Sequence, residues 1–284
     1  MRGVPLGDLP IGATVEVPVK PAFQSFLGER IVFKIADQNH AGYPVNSTTL
    51  ITDKLIALLG FDAKEPANTN AARRDGGNNR YIWSNISQWL NSNGAANAWY
   101  SAKHSADAPP TASGFENGIS YNDKAGFLAM FDDSFVAALS TTTITIARNT
   151  VTDGGGSETL ATKVFLASTT EMGTQNENGI AEGVRLAIFT DSESRTAYPT
   201  AECVASSNFT SAGFGVTNPW YQRLRTPAHT STMNGHRLEP NGDWAAGGAK
   251  VAFGPYGVRP LCNIPSSASV TAKPNERGNY EFAW

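Results

Sequence analysis

"AGFLAMFDDSFVAALS", residues 125–140, is the stretch on which the fold class turns. Phe127, Phe131, Phe135 and Leu139 recur at four-residue steps, with Val136 alongside. That spacing lines side chains up on one face of an α-helix. Read this way, the stretch is one of two main helices. The other lies in "SNISQWLNSNG", residues 84–94, where Ser84 serves as N-cap, Ile86, Trp89 and Leu90 form the apolar face, and Gly94 ends the run.

Around these the pattern is extended. "GATVEVPV" (12–19) alternates through Val15 and Val17, and "ERIVFKIAD" (29–37) places Ile31, Phe33 and Ile35 on one face. "STTLITDKLIALLGFDA" (47–63) starts extended and is expected to turn into a short helix carrying Leu55, Leu58 and Leu59. "KEPANTNAARRDGGNNR" (64–80) reads as a polar loop. "TTTITIARNTV" (141–151) and "KVFLAST" (163–169) are strands joined through "TDGGGSET", whose three glycines make positive φ cheap. "NENGIAEGVRLAIF" (176–189) is assigned a short helix. The expected fold class is therefore α+β, a single domain with two main helices, short antiparallel strands and extensive ordered loops.

Composition narrows the function. Of 284 residues, 40% are apolar and 17% charged, both slightly below ordinary globular usage, and the net charge of −3 supplies no basic footprint for nucleic acid. No apolar run approaches the length needed to cross a bilayer, and the first residues lack the apolar stretch of a signal peptide. Cys203 and Cys262 read as buried free thiols, with a disulfide between them as the open alternative; neither has a His or Lys beside it in sequence to make it reactive.

No catalytic residue, cofactor or metal site emerges. His40, His104, His229 and His236 fall in no metal-binding spacing. His104 near Asp107 reads as a loop histidine tied into local hydrogen bonds rather than as a base with its orienter. Asp132 and Asp133 sit on the presumed helix; Glu177, Glu182, Asp191 and Glu193 form a polar stretch, and a Ca²⁺ site at Asp191 and Glu193 is the weaker reading there.

The informative region is residues 218–264. Trp220 and Tyr221 at one end, and Gly257 to Leu261 at the other, look like packed framework, with Trp220, Leu224, Val258 and Leu261 as core. Between them lie Gln222, Arg223, His229, Met233, Asn234, His236, Arg237, Glu239, Asp243, Trp244, Lys250, Phe253 and Tyr256. The polar members are too numerous to bury together, so the set is expected to form an outward binding face, with Trp244, Phe253 and Tyr256 as stiff anchors.

"YIWSNISQWLNS", "WYSAKHSADAPP", "AGFLAMF", "TVTDGGGSETLATKVFLASTTEMG", "NENGIAEG", "AYPTAECVASSN", "NPWYQRLRTP" and "GVRPLCNIPSS" together resemble a family of clostridial gut bacteria, their phages and prophages, recorded as a domain of unknown function. The resemblance spans residues 8–272. It implies a C-type-lectin-like domain of the formylglycine-generating-enzyme type over residues 1–272. Residues 1–40 would supply N-terminal strands, 218–264 variable binding loops and the closing core strand, and 273–284 an exposed tail.

Members of that family look like non-enzymatic virion or cell-surface proteins, and related domains are targets of diversity-generating retroelements. The partners so implied are a host surface protein or glycan, other virion proteins and further copies of the chain. The family's usual first motif resembles Trp-Tyr-Trp-Trp-Leu-Arg-Thr-Pro, and here Gln222 and Arg223 stand at its two middle aromatic positions. Formylglycine chemistry is not carried over, because Cys203 and Cys262 do not sit in its motif.

Overall fold

In chain order the strands are β1 (Val4–Pro5), β2 (Thr14–Pro18), β3 (Arg30–Gln38), β4 (Ser47–Thr52), β5 (Ala57–Leu58), β6 (Thr142–Ala147), β7 (Ser157–Thr162) and β8 (Val164–Leu166). There follow β9 (Gln222–Pro227), β10 (Asn234–Leu238), β11 (Ala249–Lys250), β12 (Gly257–Val258), β13 (Pro260–Pro265), β14 (Ser269–Val270) and β15 (Tyr280–Glu281). The helices are α1 (Gln24–Leu27), α2 (Ala71–Gly76), α3 (Asn85–Leu90), α4 (Asp133–Ala138), α5 (Ser192–Arg195) and α6 (Ala201–Ser206). The structure, a computed structural model, describes residues 3–176 and 179–284.

The protein is mostly β, with about 26% strand and 17% helix, which overturns the α+β class with two main helices. The decisive stretch shows why. Residues 127–130 form a single 3₁₀ turn, Phe131 and Asp132 are extended, and α4 begins only at Asp133. Phe131 pairs with Val19 in an isolated bridge. The four-residue spacing was a packing ladder rather than a helix. Phe127–Phe131 and Phe131–Phe135 ring centroids lie 4.9 and 5.3 Å apart, and all three rings are buried.

The second expected helix survives only as the six residues of α3, capped as read by the Ser84 side chain accepting from Ser87 N–H. Trp89 is fully buried and donates from Nε1 to the Ala125 carbonyl. No helix forms at Leu55, Leu58 and Leu59, whose segment instead supplies β5. The expected polar loop contains α2, capped by Asn70. The short helix expected over 176–189 is absent among its described residues; Glu177 lies outside them.

Two sheets organise the chain. One runs β15-β2-β3-β4-β13-β8 and the other β11-β10-β9-β12-β5. The chain passes between them four times: from β4 into β5, from β5 by way of β6 and β7 into β8, from β8 into β9, and from β12 into β13. Arg259 marks the last of these, between β12 and β13, and donates from Nε to the Thr52 carbonyl at 2.8 Å. β4 is buried along its whole length and β13 along nearly all of it, as expected of strands covered on both faces. The glycine turn forms as read, with Gly154, Gly155 and Gly156 all at positive φ. The strand it returns into is β7, however, and the expected partner at 163–169 instead supplies β8, which pairs with β13.

The main apolar cluster collects side chains from Leu6 to Val270. A smaller one holds Leu55, Leu58, Ala197, Cys203 and Trp220. Cys203 and Cys262 are buried and free, in different clusters.

The last dozen residues, expected as an exposed tail, are all exposed or half-buried, and part of the segment is held against the sheet. β15 pairs in parallel with β2, and Arg277 and Asn279 both bond the buried Glu16 carboxylate. Burial by itself raises Glu16, but those bonds outweigh it and hold the carboxyl at about 2.

Candidate functional site

β9 and β10 are antiparallel neighbours, with Arg237 opposite Arg223 and Leu238 opposite Gln222. Side chains alternate across a strand, so Tyr221, Arg223 and Arg225 share one side of β9 and Gln222 and Leu224 the other. This alternation splits the expected binding residues between two faces.

On one face sit Arg223, Arg237, Glu239, Phe253 and Tyr256, with Tyr221. The Arg223 guanidinium lies 4.6 Å from the Tyr256 ring centroid, and Arg237 lies 5.2 Å from that ring and 5.5 Å from Tyr221. Phe253 packs on Tyr256 at 5.1 Å. Arg237 donates from Nη2 to Glu239 at 2.9 Å. Lys250 reaches Glu116 at 2.8 Å. Arg237 and Glu239 side chains are 17% and 30% exposed, whereas Arg223 is only 2% exposed.

Arg223 makes all its hydrogen bonds through one nitrogen. Nη2 donates to the carbonyls of Lys250, Val251 and Phe253, while Nε and Nη1 are buried with no partner; Arg237 Nε is likewise unpartnered. Burial pushes the Arg223 guanidinium below its ordinary value, and the like charge of Arg237 adds to that.

On the other face Gln222 is buried and donates to the Arg195 carbonyl, and His236, fully buried, accepts from Trp244 Nε1 at 3.0 Å. The expectation that Gln222, Arg223 and His236 face solvent is therefore not met. Tyr256, 8% exposed, anchors the first face from within rather than projecting. His229, Met233, Asn234 and Asp243 fall at the ends of β10 and in the turns beside it. The His229 carbonyl accepts from Thr150, Met233 packs over Gly76, Asn234 donates to Gly247, and Asp243 is exposed beside Asn241.

Sequence reasoning missed two members of the first face. Tyr221 was read as framework, and it does pack edge-on against Trp220, but it is only half-buried and its other contacts are Tyr256 and Arg237. Glu116 lies far away in sequence and carries no local signal.

Other polar clusters are occupied by the fold itself. Arg225 is fully buried and bidentate to Glu171 at 2.6 and 2.8 Å, and also reaches the carbonyls of Thr145, Leu166 and Glu182. Burial raises the Glu182 carboxyl, which accepts from Ala147 N–H and Thr226 Oγ1. Asp62 is buried and accepts the Asn78 and Asn85 backbone N–H groups, and burial followed by the charge of Glu65 pushes it well above the usual carboxylate range. His104 Nε2 lies 2.8 Å from a Glu65 carboxylate oxygen without the geometry of a hydrogen bond, and its ring packs at a tilt on Trp83. The side chain is thus held by distant neighbours rather than by the local hydrogen bonds expected. Asp191 caps α5, which accounts for it without a metal. Among the described residues no group of His, Cys, Asp and Glu is arranged to hold a metal ion, and no helix is long and apolar enough to cross a membrane.

Fold and site thus define a mostly-β protein whose five-stranded sheet carries a paired-arginine, aromatic face. By sequence the chain belongs to the family DUF6273, a domain of unknown function, whose model matches residues 46–266. No curated protein and no solved structure matches it.

Proposed function

We propose that the chain is a non-enzymatic recognition protein of a phage or prophage particle, which binds a host surface protein or glycan through the Tyr221–Arg237–Tyr256 face. The observation that carries this reading is Arg237, partly exposed between two tyrosine rings, with its Nε buried and unpartnered beneath. Aromatic and arginine side chains dominate binding hot spots because they bury area at modest entropic cost and add directional bonds. Display in several copies on a particle would convert a weak face into avidity. Codon diversification, on this reading, is confined to the exposed and half-exposed positions such as Met233, Asn234, Glu239, Asp243, Trp244 and Lys250, since Gln222, Arg223 and His236 belong to the packed sheet.

The test is adsorption of the labelled chain to intact gut clostridia, wild type against the double variant Tyr221→Ala/Arg237→Ala. Removing two hot-spot side chains should weaken adsorption at least tenfold, since each such residue is worth about 2 kcal/mol or more. Unchanged adsorption by the variant, or none by the wild type, would remove the reading.

A decoration role on the capsid or tail is the second reading, favoured by β7. It is the edge of a two-stranded sheet, and its residues alternate between exposed and half-buried over most of its length. Such an edge presents backbone groups that a neighbouring subunit's strand can pair.

A further inference from the structure

We infer that the Arg223–Arg237 pair is a receptor for a carboxylate group on the ligand. This rests on the face being a recognition surface and names the chemistry it would select.

The case begins with register. Arg223 and Arg237 are direct cross-strand partners, and like charges placed opposite one another in a sheet destabilise it. Both guanidiniums also lie over the same Tyr256 ring. Against two positive charges the described residues supply one carboxylate, Glu239, which engages Arg237 through Nη2 alone. The other nearby charges, Lys250 and Glu116, are paired with each other. Arg223 bonds only carbonyls, and three guanidinium nitrogens on the face stay unpartnered although buried. A buried donor without a partner costs about 1–3 kcal/mol, and native structures seldom keep several together.

An incoming carboxylate answers both deficits. It matches the planar fork of a guanidinium in shape, and it neutralises the repulsion across the ladder. Entry is from the exposed side, at Arg237 and Glu239. The carboxylate would take the place of Glu239 on Arg237 and accept a single bond from Arg223 Nη1 or Nε, since Arg223 Nη2 already serves three carbonyls. Tyr221 is left to pack against the body of the ligand. Acidic sugars and acidic peptide side chains share this chemistry.

The experiment reads the arginine Nε–Hε signals of the ¹⁵N-labelled full chain while sodium glucuronate, N-acetyl-glutamate or inorganic phosphate is added at ionic strength matched with sodium chloride. Saturable shifts of the Arg223 and Arg237 signals by one or both carboxylates, in the millimolar range expected of a single contact point, support the inference. Glucuronate alone would assign the sugar source, and N-acetyl-glutamate alone the peptide source. Loss of the remaining signal's response in Arg223→Met, or in Arg237→Gln should the first variant not fold, is the matching result. Absence of shifts, shifts equal to those in sodium chloride, or a response to phosphate only would overturn it. Cell adsorption that depends on Tyr221 and Arg237 but is not competed by either carboxylate would leave the recognition reading standing while sinking this one.

Discussion

Arg223 and Arg225 stand two residues apart on β9, on the same side of one strand, and both are buried. Arg225 has a carboxylate in a bidentate grip and three carbonyls besides. Arg223 has three carbonyls on a single nitrogen, no carboxylate, and another arginine facing it. Burial alone is therefore no guide to role. A guanidinium whose donors are used up holds the framework together, and one whose donors are left over, next to an exposed rim, is available to a ligand.

The largest expected effect sharpens that contrast from the framework side. Arg225→Met should cost about 3–5 kcal/mol in urea unfolding, because it strands Glu171 as a buried uncompensated charge. A midpoint close to wild type would erase the distinction. Trp89→Ala should cost a similar or slightly smaller amount, about 3–5 kcal/mol, through the cavity left among Phe26, Tyr121 and Phe127. Arg223→Met should cost at most about 1–2 kcal/mol, since the carbonyl bonds it loses are offset by relief of repulsion and removal of unpartnered donors.

A smaller effect concerns the docked C-terminal segment. The folded Glu16 carboxyl lies at about 2, below its ordinary 4.5, so its contribution is fully present above pH 4.5 and is lost as the pH falls toward 2. Proteolytic cutting within residues 273–284 by an acid-active protease should therefore rise across that window, and Glu16→Gln should raise it already at pH 5. Cutting that ignores both acid and the substitution would mean that β15 is held by backbone pairing alone.

The strands were legible because their alternation survives in the sequence: Val15 and Val17 in β2, and Ile31, Phe33 and Ile35 in β3, are all buried. The β6–β7 turn was legible because three consecutive glycines announce positive φ. The helix at 125–140 was misread because a four-residue phenylalanine spacing is shared by a helix face and by a ladder of stacked rings. Only tertiary partners such as Val19 decide between them. The site was half legible. Composition singled out Arg223, Arg237, Glu239, Phe253 and Tyr256, but a count of polar residues does not tell which side of a strand each occupies. Hence Gln222 and His236 were grouped with them although the sheet puts those two on its opposite face.

The most direct test of the account is a double-mutant cycle across the ladder, with unfolding free energies measured for Arg223→Met, Arg237→Met and the pair. The account predicts a repulsive coupling of about 0.2–1 kcal/mol, each arginine being better tolerated once the other is gone. An attractive coupling of that size would show the two guanidiniums to be mutually satisfied, and Arg223 would then be framework like Arg225.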